Sequence, residues 1–122
     1  MASIISTLFR LDSATGTDPL NIVIGPNLSV DTPQGSGSLT TSTNSNDAVV
    51  EYGQSKDAYV FVRNTGASTA GNLAITDGGV GNTIGLLKPG DFLFLPLKGD
   101  TGLRIKYDTA VTTADWFYWC RK

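Results

Sequence analysis

From residue 48 to residue 120, apolar residues gather in short bursts separated by turn-forming residues, and no burst has the period of a helix. Ala48-Val49-Val50-Glu51-Tyr52 reads as a strand ended by Gly53. Ala58-Tyr59-Val60-Phe61-Val62-Arg63 is dense in β-branched and aromatic residues and apolar on both faces, which predicts a strand inside a sheet. Asn64-Thr65-Gly66 turns, residues 72–76 pair back, Asp77-Gly78-Gly79 turns again, and residues 83–88 form the next strand. Pro89-Gly90 is a strong turn signal. Phe92-Leu93-Phe94-Leu95-Pro96-Leu97 is again apolar on both faces and predicts central burial. Pro96, which has no N–H, marks an edge or a bulge at that end. Leu103-Arg104-Ile105-Lys106-Tyr107 and Trp116-Phe117-Tyr118-Trp119-Cys120 complete the series.

The first part of the chain is less regular. Residues 3–9 predict one strand and residues 20–24 another, stopped by Gly25-Pro26, with residues 27–30 continuing it or pairing nearby. Residues 12–19 are a loop by composition. Residues 29–46 are low in complexity: nine of the eighteen are Ser or Thr, with Gly35-Ser36-Gly37-Ser38 in the middle. This stretch predicts a polar surface loop or a Thr-rich hairpin, or else an arm that orders only against a neighbouring subunit.

About eight to ten short strands, spaced roughly 8–12 residues apart with no helix between them, are the signature of a sandwich or barrel. The expectation is an all-β, single-domain antiparallel β-sandwich of jelly-roll type spanning residues 1–122. The length of 122 residues suits one core.

Composition narrows the function. Charged residues are 16% of the chain, against about a quarter in ordinary domains. The net charge of −2 and the absence of a basic stripe argue against a nucleic-acid partner. No apolar run is long enough for a membrane-spanning helix. The first residues lack the basic and apolar regions of a secretory signal, so synthesis in a cytoplasm is expected.

The chain has no histidine, the commonest general base and metal ligand, and a single cysteine, Cys120, which cannot form an intrachain disulfide. Carboxylate pairs such as Asp91 with Asp100, or Asp108 with Asp115, fall where turns are expected and where Asp bonds the backbone. Glu51, the one glutamate, is expected in mid-strand facing outward. Asp77-Gly78-Gly79-Val80-Gly81-Asn82-Thr83 superficially matches a calcium-binding repeat, but it occurs once and has Thr83 where an aspartate belongs. The expectation is a protein with no catalytic site, no metal and no cofactor.

The aromatic run at the end is the sharpest local signal. In a strand, Trp116, Tyr118 and Cys120 face one way, and Phe117 and Trp119 the other. A sandwich buries only one face of a strand, so one set needs a second cover. That cover is either a loop from residues 10–19 or 29–46, or another subunit. Trp116, Phe117, Tyr118 and Trp119 are therefore the candidate subunit interface.

Several of these segments together resemble a known family. Tyr59-Val60-Phe61-Val62-Arg63-Asn64-Thr65-Gly66, Leu73-Ala74-Ile75, Leu86-Leu87-Lys88-Pro89-Gly90-Asp91-Phe92-Leu93-Phe94-Leu95-Pro96-Leu97, and the two closing strands look like the small β-sandwich virion proteins of tailed bacteriophages. The likeness covers residues 57–120. It implies a non-enzymatic virion structural protein, foremost a capsid decoration or cement protein that stabilises the icosahedral shell. It further implies a homotrimer whose partners are itself and the major capsid protein or another virion protein. Such a protein is assembled in the host bacterial cytoplasm and resides in the virion, with no small-molecule substrate. Two alternatives stand beside it: a tail, neck or fibre component, and a carbohydrate-binding β-sandwich for host recognition, in which Trp116 or Trp119 would be exposed stacking platforms.

Overall fold

A computed structural model describes residues 3–12, 21–41, 47–51, 53–79 and 81–121. The described residues form eleven strands and no helix. They are β1 (Ser3–Ser6), β2 (Phe9–Asp12), β3 (Asn21–Ile24), β4 (Asn27–Thr40), β5 (Asp47–Val50), β6 (Ala58–Asn64), β7 (Leu73–Asp77), β8 (Thr83–Leu87), β9 (Phe92–Leu97), β10 (Leu103–Tyr107) and β11 (Thr113–Arg121). Two antiparallel sheets carry the fold, in the orders β1-β4-β11-β6-β9 and β5-β10-β7-β8, with β2 and β3 paired separately. The fold is thus an all-β sandwich, as the alternation predicts.

The pairing of β4 to β11 is nested. The first of these strands pairs with the last (β4–β11), the next with the one before it (β5–β10), then β6 with β9, and β7 with β8 forms the innermost hairpin. The core lies between the sheets. Ala58, Val60, Val62, Leu97 and Ala114 from one sheet meet Val49, Val50, Leu73, Ile75, Leu87, Leu103 and Ile105 from the other, all buried. These positions alternate along β6, as one buried face of a pleated strand requires.

Residues 29–40 correct the expectation of a polar loop. They lie in β4, which pairs with β11 from Val30 to Thr40, and residues 42–46 fall outside the described residues. The reason is the spacing of Gly35 and Gly37. On the inner face, a Cβ at Gly35 would stand 2.6 Å from a ring carbon of Tyr118, and one at Gly37 would stand 2.9 Å from the ring of Trp116. The two rings lie over bare glycine backbone, so β11 supplies the apolar cover that β4 lacks. The intervening Ser36 and Ser38 are exposed.

Residues 3–9 do not make a single strand. β1 pairs with the start of β4 and β2 with β3, in one continuous register on either side of a break (Ser6↔Asn27, then Phe9↔Ile24). The break falls at Thr7-Leu8 opposite Gly25-Pro26, where Pro26 cannot donate to a ladder. There the Thr7 hydroxyl donates to the Pro26 carbonyl at 2.7 Å. Gly25-Pro26 therefore ends β3 at Ile24, as expected, and interrupts a ribbon whose register resumes at Asn27. Asp12, expected to open a loop over 12–19, instead ends β2, and residues 13–19 lie outside the described residues.

The strand ends are tied by a buried polar knot. The Asn64 amide donates to the carbonyls of Gly71 (3.1 Å) and Leu87 (2.9 Å). Its oxygen accepts from the Gly66 N–H (3.0 Å) and the Thr112 hydroxyl (2.6 Å). Thr112 in turn donates its N–H to the Thr41 hydroxyl at 3.1 Å. One side chain thus holds the ends of β6, β7, β8 and β11 with every donor and acceptor engaged.

Candidate interaction surface

The closing strand β11 separates its aromatic residues by face. Ala114 and Cys120 are buried, and Trp116 and Tyr118 pack against the core, their rings stacked at 6.3 Å. Two of the four candidate interface residues, Trp116 and Tyr118, are therefore accounted for by the sandwich itself. Phe117 and Trp119 point the other way and stack on each other at 5.9 Å, with ring planes only 7° apart.

The neighbouring strands extend this outer face. Phe117 pairs with Phe61, which pairs with Phe94, so three phenylalanines form one row across β11, β6 and β9. The next row is Trp119, Tyr59 and Pro96, and the row on the other side is Asp115, Arg63 and Phe92. Ring contacts link the grid: Phe61 to Phe117 at 6.0 Å, Phe61 to Phe92 at 6.1 Å, and Tyr59 to Phe94 at 5.9 Å. The Arg121 guanidinium sits 4.9 Å above the Tyr59 ring. Such pairs contribute about 0.5–1.5 kcal/mol each beyond burial, but they leave the face wet. Phe117 is 38%, Phe94 42% and Phe92 51% exposed.

The apolar character of β9 on both faces has this face as its cause. The expectation of central burial is corrected: β9 is the edge strand of its sheet, with Leu97 buried and Phe92 and Phe94 exposed on the outer side. An edge position agrees with Pro96.

The distal ribbon reaches the same face. The edge of the Phe9 ring meets Phe92 at 6.4 Å. Between ribbon and sheet lies a groove of about 440 Å³, lined by Thr7, Leu8, Phe9, Ile24, Pro26, Leu28, Phe61, Phe92 and Phe94. Its one polar side chain, Thr7, is already bonded to Pro26. The sequence reading missed this groove, because its two walls, residues 7–28 and residues 61–94, lie far apart in the chain.

Three of the aspartates, Asp57, Asp77 and Asp91, serve the backbone. Asp77 accepts from the N–H groups of Gly79 (3.1 Å), Gly81 (2.9 Å) and Asn82 (3.2 Å), which organises the glycine-rich turn. Asp91 accepts from the Lys88 N–H at 3.0 Å across the Pro89-Gly90 turn, and Asp57 accepts from Gly99 at 2.7 Å. Asp115 is not in a turn as expected but inside β11, bonded to the Ser38 hydroxyl. Glu51 is exposed just past the end of β5 rather than in mid-strand. Among the described residues, no three carboxylate or thiol groups cluster as a metal would require. Cys120 is buried, its thiol pushed up by desolvation and accepting from the Gln54 amide at 3.0 Å.

No family model and no curated protein sequence matches the chain.

Proposed function

We propose that this chain is a non-enzymatic structural subunit of a tailed-phage virion, of the capsid decoration or cement type. The observation that carries the reading is the outer aromatic grid on β11, β6 and β9. Leaving a phenylalanine half exposed forgoes roughly 2 kcal/mol of burial per ring, at about 25 cal/mol per Å². A row of such rings, next to carboxylates engaged in bracing turns, suits a protein that works through contact.

Two further points support the reading. The nested pairing of β4 to β11 is the pattern of two interleaved Greek keys, which we read as a jelly roll, an architecture used in viral shells and lectins. The segments that carry the resemblance to phage virion proteins, residues 59–66, 73–75, 86–97, 103–108 and 115–119, fall in or beside β6 to β11 of this sandwich. In this role the subunit joins itself, as a homotrimer on local three-fold positions, and the major capsid protein. Many modest interfaces, multiplied by symmetry, then hold the shell together.

The test is the copy number of this protein in purified particles, relative to the major coat protein, by quantitative mass spectrometry. A ratio that is a simple fraction of the coat subunit is expected. A handful of copies would assign it to the tail, neck or fibre, and absence from particles would overturn the virion reading. A carbohydrate-binding role would rest on Trp119 alone, since Trp116 faces the core. Tryptophan emission unmoved by a panel of bacterial surface glycans would dismiss it.

A further inference from the structure

We infer that the groove between the distal ribbon and the outer face is covered by a second copy of this chain, with Leu8 as the anchor of that contact. The inference gives the structural-subunit reading its homotypic interface, and it rests on that reading only in taking the chain to act by association.

The first argument is the state of the ribbon. A two-stranded hairpin is marginal in water unless a third strand or a packed face supports it. Among the described residues, β2 and β3 pair only with each other. Three apolar side chains here are wet: Leu8 is 80%, Ile24 50% and Phe9 38% exposed. Leu8 lies at the break between β1 and β2 with its surface in water, beside a groove walled by Phe61, Phe92 and Phe94.

The second argument is area. Leu8, Phe9, Ile24, Phe92, Phe94 and Phe117 together expose roughly 600 Å², at about 200 Å² per fully exposed side chain. That is the upper limit of the largest apolar patch on an ordinary monomer, about 300–600 Å². It also matches one side of a subunit interface, about 800 Å² of which some 65% is apolar in homodimers. A groove with one polar side chain, already bonded, gives no group to orient a polar ligand, whereas it accepts leucine and phenylalanine side chains like those on its own rim.

The third argument is charge. The charged residues in the grid carry both signs, with Asp115 and Arg63 as cross-strand neighbours. Two copies can therefore meet over this face without a single-sign field to oppose them.

The test is the mass of the full chain by sedimentation equilibrium at several concentrations, with Leu8→Asp and Phe92→Asp beside the wild type. Because Leu8 is so exposed, Leu8→Asp is expected to keep the far-ultraviolet spectrum and the melting cooperativity of the wild type. The expected result is an oligomer of the 12.9 kDa chain, with self-association weakened at least tenfold in Leu8→Asp. Association that persists at high salt is also expected of an apolar contact. A wild type that stays monomeric at 100 µM, or a Leu8→Asp variant with unchanged mass, would overturn the inference. A monomeric wild type whose Leu8→Asp variant is lost from particles would hand the groove to another virion protein. That outcome leaves the virion reading standing, while copy number in particles tests that reading by itself.

Discussion

Replacing Asn64 by aspartate changes the charge and hydrogen-bonding sense of the core knot while hardly altering its volume. Asn64 is fully buried, and its amide nitrogen satisfies the carbonyls of Gly71 and Leu87. Aspartate keeps the acceptor for Gly66 and Thr112 but has no second donor, and when ionised it has none at all. Each buried carbonyl left without its donor costs about 1–3 kcal/mol, so the variant loses about 2–6 kcal/mol. That is a large part of the 5–15 kcal/mol that holds an ordinary domain folded. At roughly 4 °C per kcal/mol for a chain of this size, the melting temperature falls by about 8–24 °C. Burial raises the pKa of the new carboxyl in the folded state above its unfolded value near 3.9, so the folded state retains the proton longer. Stability is then lost as pH rises from that unfolded value through the raised folded one, and the gap from wild type is smallest below about pH 4. Thermal unfolding followed by circular dichroism, at pH 3.5 and pH 7, reads both effects. A drop of less than about 3 °C at pH 7 would refute the view that this knot holds the strand ends together.

Three other outcomes follow from the packing. Gly71→Ala places a Cβ 1.8 Å from the backbone oxygen of Ala110; because backbone must move, this is expected to be the most damaging glycine substitution, lowering soluble yield or Tm more than any of those below. Gly35→Ala and Gly37→Ala press on the Tyr118 and Trp116 rings, and overpacking of about 1–3 kcal/mol outweighs the 0.4–1 kcal/mol gained from a stiffer unfolded chain, which chemical denaturation will show as lower midpoints with an unchanged slope. Cys120, buried and with its thiol pushed up by desolvation, is expected to react with a disulfide reagent at pH 8 only as fast as the chain opens, and immediate labelling of the native protein would contradict its burial.

Much of the sandwich was legible because alternation and turn chemistry agree from residue 58 onward. Lys88-Pro89-Gly90-Asp91 is one case: Gly90 adopts a φ of 92° and the Asp91 N–H closes the turn onto the Lys88 carbonyl at 2.8 Å. β4 was not legible, because its inner face is completed by rings about 80 residues further along. No local window shows that Gly35 and Gly37 are covered. The facing of the aromatic run was half legible. Period-two facing separates Phe117 and Trp119 from Trp116 and Tyr118, but only the position of the second sheet says which pair is inside. Asn64 looked like an ordinary turn residue, since Asn-Thr-Gly after a strand reads the same whether the amide points to water or to two buried carbonyls.

The nested pairing has a consequence for how the chain is made. β11, the last strand of the series, lies in the middle of the five-stranded sheet, between β4 and β6. Until β11 has left the ribosome, β4 has no ladder along most of its length, and the core lacks Trp116 and Tyr118. Pairing that spans so much sequence is also slow to form, on the order of milliseconds to seconds. A prematurely terminated chain therefore carries neither the Phe117–Phe61–Phe94 row nor the sheet that would display it. Only a chain read through β11 completes the sheet and its outer face.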